Sequence, residues 1–268
     1  ERAPKEENGG NTRFTAGAMR FAYDGVDDIR RIVPDLTDDE IATTDFGTYT
    51  TDQFFDDMFR VTRFRTDPDL CEQLVTKSFE TMLWLKHKGV RFQPIYGRQA
   101  FKVDGRFVFW GGLTIEAWSG GPGLVDTQTE IALKAGIEIR YGARAMALDY
   151  DGHAVTGLRV KAGGAMHALS AKAVILASGG FEANTEWRTR YLGPGWELAK
   201  VRGSRFNTGD GLRMALDIGV DRLHADQAEA QALEAALRVG PERPPALAVV
   251  SVGRDGRARL KGVIVGGR

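Results

Sequence analysis

Ala173-Val174-Ile175-Leu176-Ala177-Ser178-Gly179-Gly180 is the stretch on which the fold turns. Five apolar residues run without a polar interruption and end in a small hydroxyl residue and two glycines. A half-buried strand alternates, whereas a continuous run is what a strand covered on both faces of a parallel sheet shows. We therefore expect a buried parallel strand over 173–177 that delivers the chain into a tight turn. Two other glycine-bearing sites stand far from it in sequence. Gly9-Gly10-Asn11 opens a loop that runs on into Thr15-Ala16-Gly17-Ala18, and Thr208-Gly209-Asp210-Gly211-Leu212 opens a helix over 212–218 closed by Gly219. Taken singly, a Gly-Gly after a strand is commonly a turn and an Asp at a helix start is commonly a cap. Their order carries more: small-residue loop, helices, β-meander, apolar strand into Gly-Gly, then Gly-Asp-Gly at a helix start. A dinucleotide needs such parts together, since its diphosphate takes backbone N–H groups and its ribose takes a carboxylate.

Between the first two glycine sites the spacing predicts a short helix over 26–33 and a loop over 35–44. A helix follows over 51–63 with Thr51 as its cap, then a longer one introduced by Asp67-Pro68-Asp69, with apolar residues over 70–85 and a stop at Gly89. Short extended segments follow at 90–95, 100–103 and 107–110. The glycine-dense loop Trp118-Ser119-Gly120-Gly121-Pro122-Gly123-Leu124 leads to a helix over 125–134. Strands are expected at 137–140, 145–150, 155–161 and 165–169, with Asp151-Gly152 and Gly163-Gly164 as hairpin turns. From 221 on the character changes to an Ala/Glu/Leu helix over 225–237 and two Val-rich strands around Asp255-Gly256.

Composition bounds the function. Of 268 residues, 36 are Lys or Arg and 36 Asp or Glu, so the net charge is zero, without the basic footprint of a nucleic-acid binder. Hydrophobic residues at 43% and charged residues at 27% exclude wholesale disorder. The single cysteine, Cys71, fits a reducing compartment, and a cytoplasmic location is the expectation. No apolar run approaches the roughly 20 residues of a membrane helix. His87, His153, His167 and His224 have no metal-ligand spacing with one another or with Cys71, so no metal site is expected. Cys71 itself reads as a packing residue, since no partner base is visible.

Several of these stretches together carry a family resemblance. Glu1-Arg2-Ala3-Pro4 through Gly9-Gly10-Asn11-Thr12-Arg13-Phe14-Thr15-Ala16-Gly17-Ala18-Met19, then Leu176-Ala177-Ser178-Gly179-Gly180-Phe181-Glu182-Ala183-Asn184, then Thr208-Gly209-Asp210-Gly211-Leu212 resemble the fumarate reductase and succinate dehydrogenase flavoproteins. The likeness covers about 1–220. Arg202-Gly203-Ser204-Arg205-Phe206-Asn207-Thr208 and the early helices are most similar to the tricarballylate dehydrogenase subgroup, and a cobalamin-pathway flavoprotein is similar too.

The resemblance implies an α/β fold: a Rossmann-like FAD-binding core with a β-meander and a helical and β insertion. It assigns 1–34 and 125–220 to a partial FAD-binding domain, 35–124 to the insertion on the substrate side, and 221–268 to a divergent tail. It implies that Glu1 binds the adenosine ribose and that Ala145 meets the adenine through its backbone. Asn11 and Thr12 lie beside the diphosphate and flavin, and Ala16 and Gly17 along the isoalloxazine. Ser178, Gly179 and Gly180 form the returning turn, and Asp210 stands near the ribityl chain. Covalently flavinylated members carry a histidine where Asn11 stands, so the FAD is expected to be non-covalent. The implied activity is oxidation or reduction of the CH–CH bond of a small carboxylic acid, with an electron-transfer partner. Arg202 is the candidate for the substrate carboxylate. The catalytic set is not placed, and the first Rossmann strand and its Gly-x-Gly-x-x-Gly turn would precede Glu1, so a piece of a longer protein is expected. The rival expectations are a non-catalytic flavin-binding or structural remnant and a ketosteroid-dehydrogenase-like enzyme with an apolar pocket.

Overall fold

Side-chain caps start three of the helices in the first half of the chain. In chain order the elements there are β1 (Ala18–Met19), α1 (Val26–Ile32), α2 (Asp38–Ala42), β2 (Thr44–Asp45), α3 (Thr51–Thr62), α4 (Pro68–Lys88), β3 (Phe92–Pro94), α5 (Tyr96–Gln99), β4 (Ala100–Val103), β5 (Arg106–Phe109), β6 (Ile115–Ala117) and α6 (Gly120–Lys134). Asp67 caps α4 by accepting from the Leu70 N–H at 3.0 Å, Pro68 fills its first turn, and Gly89 ends it in the left-handed region. Thr50 and Gln53 form a capping box at the start of α3, and Thr37 and Glu40 another at α2. The loop expected over 35–44 is thus α2 followed by β2. Thr37-x-x-Glu40 is the signal for it, outweighed in the sequence reading by the Thr and Asp content around it.

The computed structural model describes residues 1–219, 246–252 and 258–265, the last two stretches by backbone alone. It is a mixed α/β fold, as the sequence led us to expect, in two compact units. The helical unit is Thr15–Ile137; the meander unit is Glu1–Phe14 with the described residues of Glu138–Ala236 and Pro245–Ile264.

The helical unit is built on one apolar core. Phe21, Ile29, Ile32, Val75, Phe92, Ile95 and Ile115 are almost fully buried in it, and the inward face of α4 contributes Cys71, Val75, Met82 and Leu85. Two small sheets close it, β1-β6-β3 and β2-β5-β4. Helix α6 starts at Gly120, inside the stretch read as a loop. The reason is close approach: Gly17, at φ 72°, passes so near the helix start that a Cβ on it would lie 2.6 Å from the Gly120 carbonyl carbon, and the Gly121 N–H donates to Thr15 O at 3.0 Å.

In the meander unit, β7 (Arg144–Tyr150), β8 (Val155–Ala162) and β9 (Ala165–Ser170) form the expected antiparallel meander. After them come β10 (Ile175–Leu176), α7 (Thr185–Leu192), α8 (Asp210–Asp217), β11 (Ala246–Val252) and β12 (Ala258–Val265), the last two being the Val-rich strands expected around Asp255-Gly256. The expected helix over 225–237 lies outside the described residues. Two expectations are corrected. No strand forms over 137–140; its neighbour is the irregular segment 1–3, which it meets through the Glu1 backbone nitrogen donating to Arg140 O at 2.9 Å. The run 173–177 is not a fully buried parallel strand either. Only β10 forms, antiparallel to β11, with Leu176 buried and Ile175 72% exposed. With one hydrogen-bonded neighbour, β10 is covered on its Leu176 face by Leu148, Met214 and Ala215, and no described layer covers the other face.

Candidate cofactor site

Three segments far apart in sequence are tied together inside the meander unit. Asn11 sits in a short 3-10 turn, Gly10–Phe14, and its Oδ1 accepts the Ser204 N–H at 2.8 Å. The Gly209 N–H donates to Gly180 O at 3.0 Å, the Ala183 N–H to Asn207 O at 2.9 Å, and Asn184 Nδ2 to Thr208 O at 3.1 Å. The Asn11 turn, the Ser178-Gly179-Gly180 turn and the approach to α8 therefore form one connected set.

Asn207 is the hinge-pin of this set. It is buried between Gly10 and Gly179, and a Cβ on Gly179, whose φ is 71°, would lie 2.7 Å from Asn207 Nδ2. Gly211 faces the Ser178 hydroxyl just as tightly. These glycines thus serve contacts of the chain with itself, a use that the turn signal in the sequence does not distinguish from contact with a ligand. Gly10 differs: the nearest atom to a Cβ built there is Asn207 Oδ1 at 3.8 Å, an ordinary contact and no close approach.

Asp210, the first residue of α8, is the electrostatic centre. Its carboxylate takes both Arg144 Nε and Nη2 at 2.8 Å and Arg2 Nη1 at 3.1 Å. Burial opposes its ionisation, but the hydrogen bonds and charge of Arg144, the charge of Arg2 and the Thr208 hydroxyl outweigh that and hold the carboxyl below the usual carboxylate range. The same pairing pushes the Arg144 guanidinium up. Glu1 is exposed, one of its carboxylate oxygens accepting the Ala3 N–H at 2.8 Å, and Ala145 lies on β7 beside Arg144.

Arg202 is exposed next to Gly203, against which Asn11 packs, while Arg205 forms a forked pair with Glu7 at 2.7 and 3.0 Å. Ala16 and Gly17 belong to the helical unit, where both are buried. Thr12 shares the Asn11 turn.

Sequence reasoning missed Arg2, Arg144, Glu182 and Asn207. An ion pair across 66 positions leaves no local signal. Glu182 is buried beside the Gly-Gly turn, its Oε2 has no partner among the described residues, and burial pushes its carboxyl up against weaker opposing help from its own N–H and Asn207. Cys71 is buried, and burial pushes its thiol up, which suits a packing residue. Among the described residues no group of His, Cys, Asp or Glu is placed to hold a metal, and no helix is long and apolar enough to cross a membrane.

The donor set fits an FAD. Backbone turns at Gly9 and Gly10, both in the left-handed region, suit an anionic, elongated ligand, and an exposed carboxylate at Glu1 suits vicinal ribose hydroxyls. The model of the FAD binding domain family matches residues 40–256. The chain belongs to this family. FAD is accordingly the cofactor of this FAD binding domain. Its solved structural neighbours include a flavocytochrome c3 fumarate reductase in its open conformation, 26% identical with a TM-score of 0.61, covering 82% of this chain and 35% of that one. The 3-ketosteroid-delta4-(5alpha)-dehydrogenase of Rhodococcus jostii RHA1 is 20% identical with a TM-score of 0.61, covering 84% and 49%. The quinol fumarate reductase of E. coli is 19% identical with a TM-score of 0.52, covering 82% and 32%. The last two share the fold alone. This FAD binding domain chain spans 32–49% of the length of these neighbours. No curated protein sequence matches it.

Proposed function

We propose that this chain is the cofactor-holding part of an FAD-dependent oxidoreductase acting on the CH–CH bond of a small carboxylic acid, of the tricarballylate or fumarate–succinate type. The observation that carries the reading is the joining of the Asn11, Gly180 and Asp210 segments by direct hydrogen bonds within one unit. The family match and the 26% identity to a fumarate reductase support it. In this reading 1–34 and 125–220 serve the cofactor and 35–124 the substrate side. When bound, FAD supplies hydride transfer at its N5; the protein's own residues bind and orient.

Glu1 holds the adenosine ribose, the Ala145 backbone meets the adenine, and Asn11 and Thr12 line the diphosphate. Ala16 and Gly17 lie along the isoalloxazine, and Ser178, Gly179, Gly180 and Asp210 complete the set. An amide cannot form a bond to the flavin, so Asn11 makes the FAD non-covalent. Arg202, exposed and with no ion-pair partner among the described residues, is the group in this chain best suited to a forked contact with a substrate carboxylate, which favours an acid over a steroid. An electron-transfer partner and a cytoplasmic location belong to the same reading.

The test is flavin uptake. Protein mixed with FAD and desalted retains flavin absorbance, releases all of it on acid precipitation, and shows no flavin fluorescence on a denaturing gel. Protein that passes through colourless would overturn the cofactor reading; fluorescence persisting on the gel would overturn the non-covalent one.

A further inference from the structure

The carboxylate of Asp210 has no room left for a cofactor hydroxyl. A carboxylate offers about four lone-pair positions. Here Oδ2 accepts Arg144 Nε at 2.8 Å and Arg2 Nη1 at 3.1 Å, and Oδ1 accepts Arg144 Nη2 at 2.8 Å and the Thr208 hydroxyl at 3.3 Å. All four are taken by the protein. Arg2 Nη1 also donates to the Thr208 hydroxyl and reaches Phe206 O at 3.4 Å.

The two arginines are placed tellingly along the chain. Arg2 follows Glu1, and Arg144 precedes Ala145. The backbones beside them are joined as well: the Ala143 N–H donates to Glu1 O at 2.9 Å and the Gly142 N–H to Ala3 O at 3.0 Å.

We propose that Asp210 is a positioning residue which, with Arg2 and Arg144, forms a charged clamp fixing Glu1 and Ala145 as the edge that receives the ADP half of FAD. The inference rests on the FAD reading above and reassigns Asp210 from the ribityl chain to the support of the adenosine end. One further observation carries it. The Arg144 fork fixes direction as well as distance, which a point cation cannot do.

ADP and riboflavin, titrated separately by calorimetry, divide the cofactor into its halves. In Asp210→Asn the affinity for ADP falls on the order of tenfold, the size of one lost charge-assisted hydrogen bond, while the affinity for riboflavin stays within about twofold. Arg144→Lys keeps the charge, breaks only the fork and behaves in the same direction, so it answers the question if the Asn variant does not fold. A fall for riboflavin with ADP unchanged overturns the proposal, since Asp210 then serves the flavin half. Equal falls for both ligands overturn it too, since the clamp is then only structural. Wild-type protein that takes up FAD but shows these outcomes in the variants leaves the cofactor reading standing; wild-type protein that takes up none of the three ligands removes both.

Discussion

The two units are held together by different physics. The helical unit hides a continuous set of large apolar side chains, from Phe21 and Ile29 through Val75 to Phe92 and Ile115. Among the described residues the meander unit has two small clusters, Leu148 with Leu176, Met214 and Ala215, and Phe181 with Leu212. In their place it buries polar residues: Asn8, Glu182, Arg188, Ser204 and Asn207 all lie there. Arg188 donates to Ala199 O at 2.7 Å, yet its Nε has no partner among the described residues. Burial of apolar area stabilises the first unit without direction, whereas the second leans more on directional bonds. Such a polar unit gains most from a ligand that adds contacts between its segments.

The contrast can be broken first at the core. Phe21→Ala removes a fully buried ring and should destabilise the helical unit by about 3–5 kcal/mol, with Leu212→Ala costing the meander unit about 2–3 kcal/mol. Denaturant unfolding followed by hydrogen exchange in each unit separates the two; comparable costs in both units would erase the distinction.

Glu182 gives a smaller effect of opposite sign. Its carboxyl is raised from the ordinary 4.5 chiefly by burial. A raised folded value means that its favourable contribution is complete below the unfolded value and is lost as pH rises through the folded one. Glu182→Gln should therefore leave stability unchanged near pH 4 and raise it at neutral pH by about 1 kcal/mol, flattening the pH profile. A variant that loses stability at neutral pH would mean that the ionised carboxylate is needed there.

The sequence was most legible where one local interaction decides the outcome. Asp67 and Gly89 bound α4 because a side-chain cap and a left-handed glycine act within a few residues. The hairpin turns at Asp151-Gly152 and Gly163-Gly164 gave the meander for the same reason. The apolar run at 173–177 misled because its surroundings, and not its own side chains, set how many faces are covered; Ile175 stays exposed. For the candidate site, the Asn11, Gly179 and Asp210 segments were legible as glycine punctuation. What holds them was not: Asn207 and the Arg2–Asp210–Arg144 group meet only after folding.

The central claim is that one cofactor binds to, and is supported by, three linked segments of the meander unit. Hydrogen exchange with and without FAD tests it most directly. The account predicts slowed exchange at 9–12, 178–183 and 207–211 together, with α3 and α4 unchanged. FAD bound with no protection at these three stretches, or with protection at one alone, would contradict it.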